Sequence, residues 1–381
     1  MSDVLARCRQ QLPGALKFLE EMVMMESPSF DKALVDQFVK FVGARFATVG
    51  GEVQFVRAEK FGDHLIARFN GQSSDRVLLL GHTDTVWPAG EIAKRPFKID
   101  GRRALGPGVF DMKAGILLAW MAIDALQKTS GGLSNSLSVL LVSDEEVGSN
   151  SSRALTESEA GRCRAVLVLE PSLPGGALKT SRKGVGRFTV KAIGRAAHAG
   201  IDPENGVNAV EEISRQIIKL QQMTDRARGT TVTVGIVQGG TRSNVVPAEA
   251  AAEIDIRITS IEEAERVVKS IKALSPELPN ARLEIRGSIN RPPMERSAET
   301  DRLFQLAHKI AAGLGIDLKE GSTGGASDGN FTSALRIPTL DGLGAVGGGA
   351  HAIDEWVDIE SLPQRAALLA ELITETSSRG L

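Results

Sequence analysis

Short apolar runs recur through the first half of the chain, each too brief for a helix and each bounded by polar or glycine-containing segments. They are 64–69 (HLIARF), 77–80 (VLLL), 137–143 (LSVLLVS) and 165–169 (AVLVL). Nearly continuous apolar character over so few residues suits strands covered on both faces. Between them, 112–127 (MKAGILLAWMAIDALQ) has the length and composition of a helix. Buried strands alternating with helices predict an α/β layer built on a mostly parallel sheet. Residues 1–21 read as an amphipathic helix.

The pattern changes from about 184. A strand at 185–193 is followed by a helix at 206–224, strands at 230–237 and 250–258, a helix at 261–274 and a strand at 281–286. The order βαββαβ is that of a self-contained α+β unit. The remainder carries a helix near 300–314, a strand near 336–341 and a helix near 360–378. At 381 residues the chain is too long for one compact core. The expected organisation is therefore a catalytic domain of 1–183 with 291–381, interrupted by an inserted domain of 184–290.

Charge removes two partner classes. Lys plus Arg number 45 and Asp plus Glu 47, a balance that gives no electrostatic reason to expect nucleic acid or an anionic membrane. No apolar run approaches the roughly 18 residues that span a bilayer. Cys8 and Cys163 make neither a disulfide framework nor a thiolate zinc site, which reads as a reduced, cytoplasmic chain. Tyrosine is absent, so no phenol can act as acid, base or oxyanion donor.

Metal-capable side chains fall at the ends of the apolar runs. His82 and Asp84 follow 77–80 in GHTDT, Asp144, Glu145 and Glu146 follow 137–143 in SDEEVGS, and Glu170 ends 165–169 in LEPS. Open α/β sheets bind ligands beyond the carboxyl ends of their strands. Three strands delivering acids or histidine to that edge predict one shared site. Residues two apart in extended chain share a face. Asp84 is thus placed to accept the second ring N–H of a ligating His82 and fix its tautomer. Adjacent Glu145 and Glu146 would point to opposite sides, leaving one for a metal and one as a base. Two buried carboxylates there need a cation. Taken singly, each motif has a plainer meaning: GHTD a turn, DEE a solvated loop, Glu170 a strand end. Asp111, in GPGVFDMKAG, is either a helix cap or a carboxylate shared by two metals. His351 follows a three-glycine run in GGGAHAIDE, where bare backbone can approach a crowded site. His64 and His308 carry no such signal.

GHTDTV, GPGVFDMKAG, SDEEVGS, LEPS, GRAAHAG, SNVVP and GGGAHAIDEWV occur in this order across nearly the whole chain. Together they resemble the M20 family of metallopeptidases, and within it most the glutamate carboxypeptidase (carboxypeptidase G-like) branch. The resemblance implies a zinc-peptidase-type α/β catalytic domain with an inserted ferredoxin-like α+β lid that often dimerises. It implies two divalent ions per subunit, one held by His82, Asp111 and Glu170, the other by Asp111, Glu146 and His351, with Asp111 shared. It further implies a cis peptide after Asp111, Glu145 as general base and Asp84 as the partner that orients His82. His198, in GRAAHAG, matches the histidine that reaches the partner subunit's site and steadies the oxyanion. Arg291, Asn244 and, across a loop of different length, Lys179 match residues that grip substrate carboxylates. Arg182 and Lys183 are nearby rivals to Lys179.

Mixed imidazole and carboxylate donors suit zinc, and cobalt or manganese also bind such sets. The expectation is a homodimeric two-metal hydrolase that acts on a small-molecule or peptide substrate with a free carboxylate. It would release a C-terminal amino acid, with glutamate the leading candidate, from an N-acyl or peptidyl group. One alternative is another M20-type reaction: an aminoacylase, a di- or tripeptidase, or a small-amide hydrolase. Another is a metal-stabilised dimer that binds a ligand without catalysis.

Overall fold

The computed structural model describes residues 3–129 and 132–376. Residues 1–2 and 377–378 of the two predicted terminal helices lie outside the described residues. The chain separates into two units, Met1–Ser181 with Arg296–Ser322 and Ser327–Leu381, and Arg182–Glu295 with Thr323–Ala326.

In the first unit the described residues form a six-stranded sheet. Its order is Glu52–Val56, His64–Phe69, Asn135–Val142, Ser73–His82, Ala165–Val168 and Thr339–Leu340. His64–Phe69 is antiparallel to both its neighbours, and the remaining pairs are parallel. The sheet is mostly parallel, as the apolar runs predict. Side chains alternate between its faces. Val77, Leu79, Leu137, Val139 and Leu141 enter the larger core, and Leu78, Leu80, Leu140 and Val142 the smaller. Helices Asp3–Met24, Ala114–Thr129 and Leu362–Glu375 pack on one another over the larger core. The chain leaves His82 for one neighbouring strand through Ala114–Thr129. It then returns past Ser73–His82 to the other neighbour through Arg153–Ala160. Connections that run to opposite sides of one strand open a crevice at its carboxyl end.

Several predicted elements change their bounds, three of them as follows. The helix expected from 112 starts at Ala114, because Asp111 (φ −117, ψ 94) and Met112 (φ −135, ψ 40) are not helical. The strand expected at 336–341 is only Thr339–Leu340. The strand expected at 281–286 runs on to Arg291.

The second unit pairs Thr231–Gly239, Glu249–Ile258, Gly184–Ile193 and Arg282–Arg291, in that order and antiparallel throughout. Helices Ala209–Gln222 and Ile261–Lys272 begin at Asn208 and Ser260, whose side chains accept the first free N–H groups. This is the ferredoxin-like arrangement, with its own core around Phe188, Val190, Ile254 and Ile256. Among the described residues no helix is long and apolar enough to cross a membrane.

Candidate metal centre

The carboxyl edge of the first unit's sheet gathers at His82. Its Nε2 lies 3.2 Å from Asp111 Oδ1 and 3.5 Å from Glu170 Oε1. The other oxygen of Asp111, Oδ2, lies 3.3 Å from His351 Nε2, and that nitrogen is 3.2 Å from Glu146 Oε2. Asp111 thus turns one oxygen to each imidazole. Donor atoms of His82, Asp111 and Glu146 fall within 4.8 Å of one another, as do those of His82, Glu145 and Glu170. Side chains from residues 82 to 351 therefore meet in one place.

Local backbone sets each donor. Asp111–Met112 is a cis peptide. Glu355, 1% exposed, accepts N–H bonds from Gly108 (2.9 Å), Phe110 (2.8 Å), Asp111 (2.9 Å) and Trp87 Nε1 (3.0 Å). One carboxylate from the C-terminal region thereby shapes the loop that presents Asp111. Glu355 lies inside GGGAHAIDEWV, yet nothing in spacing or composition marks it as buried. Near Glu170, a Cβ at Gly115 or Gly344 would stand 2.2 or 2.3 Å from Leu169 O, so only glycine allows both approaches. Gly344 N–H donates to Glu170 O at 2.9 Å, and Arg365 Nε to Gly344 O at 2.9 Å. Arg365 is a second residue the sequence does not announce. His351 itself sits at φ 63, in the left-handed region.

Asp84 differs in detail from expectation. The nearest acceptor to His82 Nδ1 is Asp84's own carbonyl oxygen at 2.9 Å, with the carboxylate at 3.5 Å. With Nδ1 donating there, Nε2 is the nitrogen left to bind a metal. The Asp84 carboxylate instead accepts the N–H groups of Glu145 and Glu146, both at 3.2 Å, and Ser29 Oγ–H at 2.7 Å. Glu145–Val147 forms a 3₁₀ turn rather than extended chain. Alternation therefore does not apply to the glutamate pair, and both side chains stand among the His82 donors.

Electrostatics show what the cluster demands. Burial alone would lower the pKa of His82, but its hydrogen bonds to the carboxylates of Asp111, Asp84 and Glu170 outweigh it and hold the ring well above its ordinary value. Burial would raise Asp111, yet His351 and His82 keep it well below the usual carboxylate range. Burial pushes Glu146 up to about 6. Asp111 and Glu146 hold His351 up to about 10. The carboxylates thus call for positive charge, which protons on two imidazoles can supply when no metal is bound. Among the described residues, the buried Oε1 of Glu146 has no hydrogen-bond partner. An orphaned carboxylate oxygen within a set of imidazoles and acids fits a divalent cation.

Lys179 belongs to the first unit, 7% exposed, its N–H donating to Asp341 O at 2.8 Å. His198, Asn244 and Arg291 belong to the second. There His198 pairs with Val245, and Ala199 N–H donates to Asn244 O at 3.0 Å, so His198 and Asn244 are neighbours. Arg291 ends its strand at 8% exposure.

A mostly parallel α/β sheet that collects imidazoles and carboxylates at its carboxyl edge, in a chain that also carries a separate antiparallel unit, is the architecture of a metallohydrolase. Residues 78–375 match Peptidase family M20/M25/M40, and the chain belongs to that family. It is 30% identical over 373 residues to carboxypeptidase G2 of Pseudomonas sp. (strain RS-16), covering 95% of this chain and 89% of that protein. It is 27% identical over 392 residues to acetylornithine deacetylase of Myxococcus xanthus, covering 95% and 97%. The crystal structure of aminopeptidase PepT from Bacillus cereus ATCC 10987 has the same fold. It superposes with a TM-score of 0.80 at 22% identity, over 97% of this chain and 99% of that one. The chain is an enzyme of the M20 metallopeptidase and amidohydrolase group.

Proposed function

We propose that the protein is a two-metal amidohydrolase of the carboxypeptidase kind. It cleaves the amide that joins an acyl or peptidyl group to a C-terminal amino acid, with glutamate as the leading product. One observation carries this proposal: the two oxygens of Asp111 face His82 and His351 at 3.2 and 3.3 Å. A carboxylate so placed suits a ligand shared by two ions. His82, Asp111 and Glu170 would hold one ion and Asp111, Glu146 and His351 the other. Zinc suits this set best, and cobalt or manganese could replace it.

Ions bound there would acidify water and polarise the scissile carbonyl. Glu145, whose turn is held by Asp84, takes a proton from the attacking water and passes it to the leaving nitrogen. His198 Nδ1 accepts N–H bonds from Gly200 and Ile201 at 3.1 and 3.2 Å. Its ring proton therefore resides on Nε2, as an oxyanion donor requires. In a homodimer that donor serves the partner subunit. Ile236 and Val237, 48% and 53% exposed on the edge strand Thr231–Gly239, support pairing through this unit. Arg291 offers a planar fork for the substrate's carboxylate, with Asn244 and Lys179 as further donors. Two free thiols, Cys8 and Cys163, fit the cytoplasm.

The test is a zinc-loaded panel of N-acyl and peptidyl amino acids, including N-benzoylglutamate, alanyl-glutamate and N-acetylornithine, read by release of the free amino acid. Glutamate release that is lost on chelation and restored by zinc or cobalt is expected. Arg291→Ala should raise KM about 10- to 100-fold, the worth of a charged hydrogen bond, for substrates with a free α-carboxylate only. Kinetics indifferent to that carboxylate would point to another M20 reaction.

A further inference from the structure

The turn bearing Glu145 and Glu146 is held on one side by Asp84. On another stands His64, 2% exposed, which is neither a metal donor nor part of the apolar core. Ser143 N–H donates to His64 Nδ1 at 3.2 Å, while Ser143 Oγ–H is given to the Gly62 carbonyl. With Nδ1 accepting, the ring proton is on Nε2, which faces Ser151 Oγ at 3.4 Å. Ser151 then donates to Asp144 Oδ2 twice, from Oγ and from N–H, each at 2.7 Å. Asp144 Oδ1 is buried with no hydrogen-bond partner among the described residues, so Ser151 is what fixes that carboxylate. Ser149 N–H closes on Asp144 O at 2.8 Å, and Ser149 Oγ–H donates to Asp328 Oδ1. The imidazole therefore grips the residue before the acidic turn and, through Ser151, the residue that begins it. Burial lowers the pKa of His64 despite Asp144 and Asp328 nearby, which keeps the ring neutral and its donor and acceptor ends fixed.

We propose that His64 is a positioning residue for the hydrolysis: as the Nε2–H tautomer it clamps residues 143–151 and so fixes where the Glu145 carboxylate stands against the reacting atoms. This rests on Glu145 being the base. A base displaced by about 1 Å costs roughly 100-fold in rate, and partners that hold a metal-site residue are worth about 10- to 100-fold.

His64→Leu removes both ends of the clamp, whereas His64→Asn places an amide oxygen where Nδ1 stood. Each is compared with wild type and Ser151→Ala on N-benzoylglutamate and alanyl-glutamate, with metal content and hydrogen exchange of residues 144–151. His64→Leu should lower kcat about 10- to 100-fold with KM and metal content unchanged, and should speed exchange in that segment. His64→Asn should recover most of both, Ser151→Ala should fall between, and His64→Leu should cost nothing further in a Glu145→Gln background. Wild-type kcat and exchange in His64→Leu, no recovery in His64→Asn, or a full additional loss beside Glu145→Gln would each overturn the clamp. If His64→Leu does not fold, Ser151→Ala decides: unchanged kcat and exchange refute it. Should wild type turn over neither substrate, the proposed activity fails, while exchange and its recovery by asparagine still decide the clamp.

Discussion

Glu263 in the second unit and Glu146 in the first are both buried glutamates, the one 4% exposed, the other with 7% of its side chain exposed. Their surroundings answer them differently. Glu263 accepts from Arg266 and Thr230 at 2.7 Å and from Arg228 at 3.0 Å. Those bonds, Arg266 foremost, hold its pKa down to about 2. Glu212, fully buried, is likewise closed by Gln216 and by the N–H groups of Glu277 and Leu278. Glu146 meets His351 with one oxygen and, among the described residues, hydrogen-bonds to nothing with the other, and burial drives it up to about 6. A buried acid whose donors are complete is architecture. A buried acid whose deficit is shared with Asp111 and two raised histidines marks a place for cations.

The sharpest way to break this contrast is at the base. Glu145→Gln should lower kcat by about 10²- to 10⁴-fold while the metal content stays that of wild type, measured by steady-state kinetics and elemental analysis. An active variant would remove Glu145 from its role. A smaller effect separates the two glutamates directly, by urea unfolding of the chelated protein. Glu146 has a folded pKa above the ordinary 4.5, so the fold loses stability as pH rises from 4.5 to about 6 and keeps that deficit above it. At pH 8, Glu146→Gln should therefore stabilise the metal-free chain by on the order of 1 kcal/mol. Glu263 has a depressed pKa, so its contribution is present above pH 4.5 and fades as pH falls toward 2. Glu263→Gln should cost about 1–3 kcal/mol at pH 7. Destabilisation by both would erase the distinction. Smallest is the proton count. His351 is held near 10 and His82 well above its ordinary value, so both rings are protonated in the metal-free chain at pH 7. Loading zinc should then release on the order of one to two protons per subunit, and affinity should climb with pH. An indicator dye follows this, and metal uptake without proton release would take the imidazoles out of the ligand set.

Much of this was legible in the chain. Apolar runs located the central strands because strands covered on both faces need no polar positions. His82, Glu145, Glu146 and Glu170 stand out in the sequence because each lies at or just past the end of such a run, and the fold gathers their donor atoms. Three-residue strands such as Lys98–Asp100 and Arg103–Leu105 were not, because periodicity has no meaning over so short a span. The antiparallel course of His64–Phe69 also leaves no trace in composition. Glu355, Arg365 and His64 escaped for one common reason. Their work is hydrogen bonding to backbone and to side chains distant in sequence, and such partners appear only once the chain is folded.

The central claim is that Asp111 is shared between two cations. Anomalous diffraction from zinc-loaded crystals, collected on either side of the zinc edge, tests it most directly. Two peaks are expected, one between His82 and Asp111 Oδ1 and the other between His351 and Asp111 Oδ2. A single peak, or two peaks away from Asp111, would contradict it.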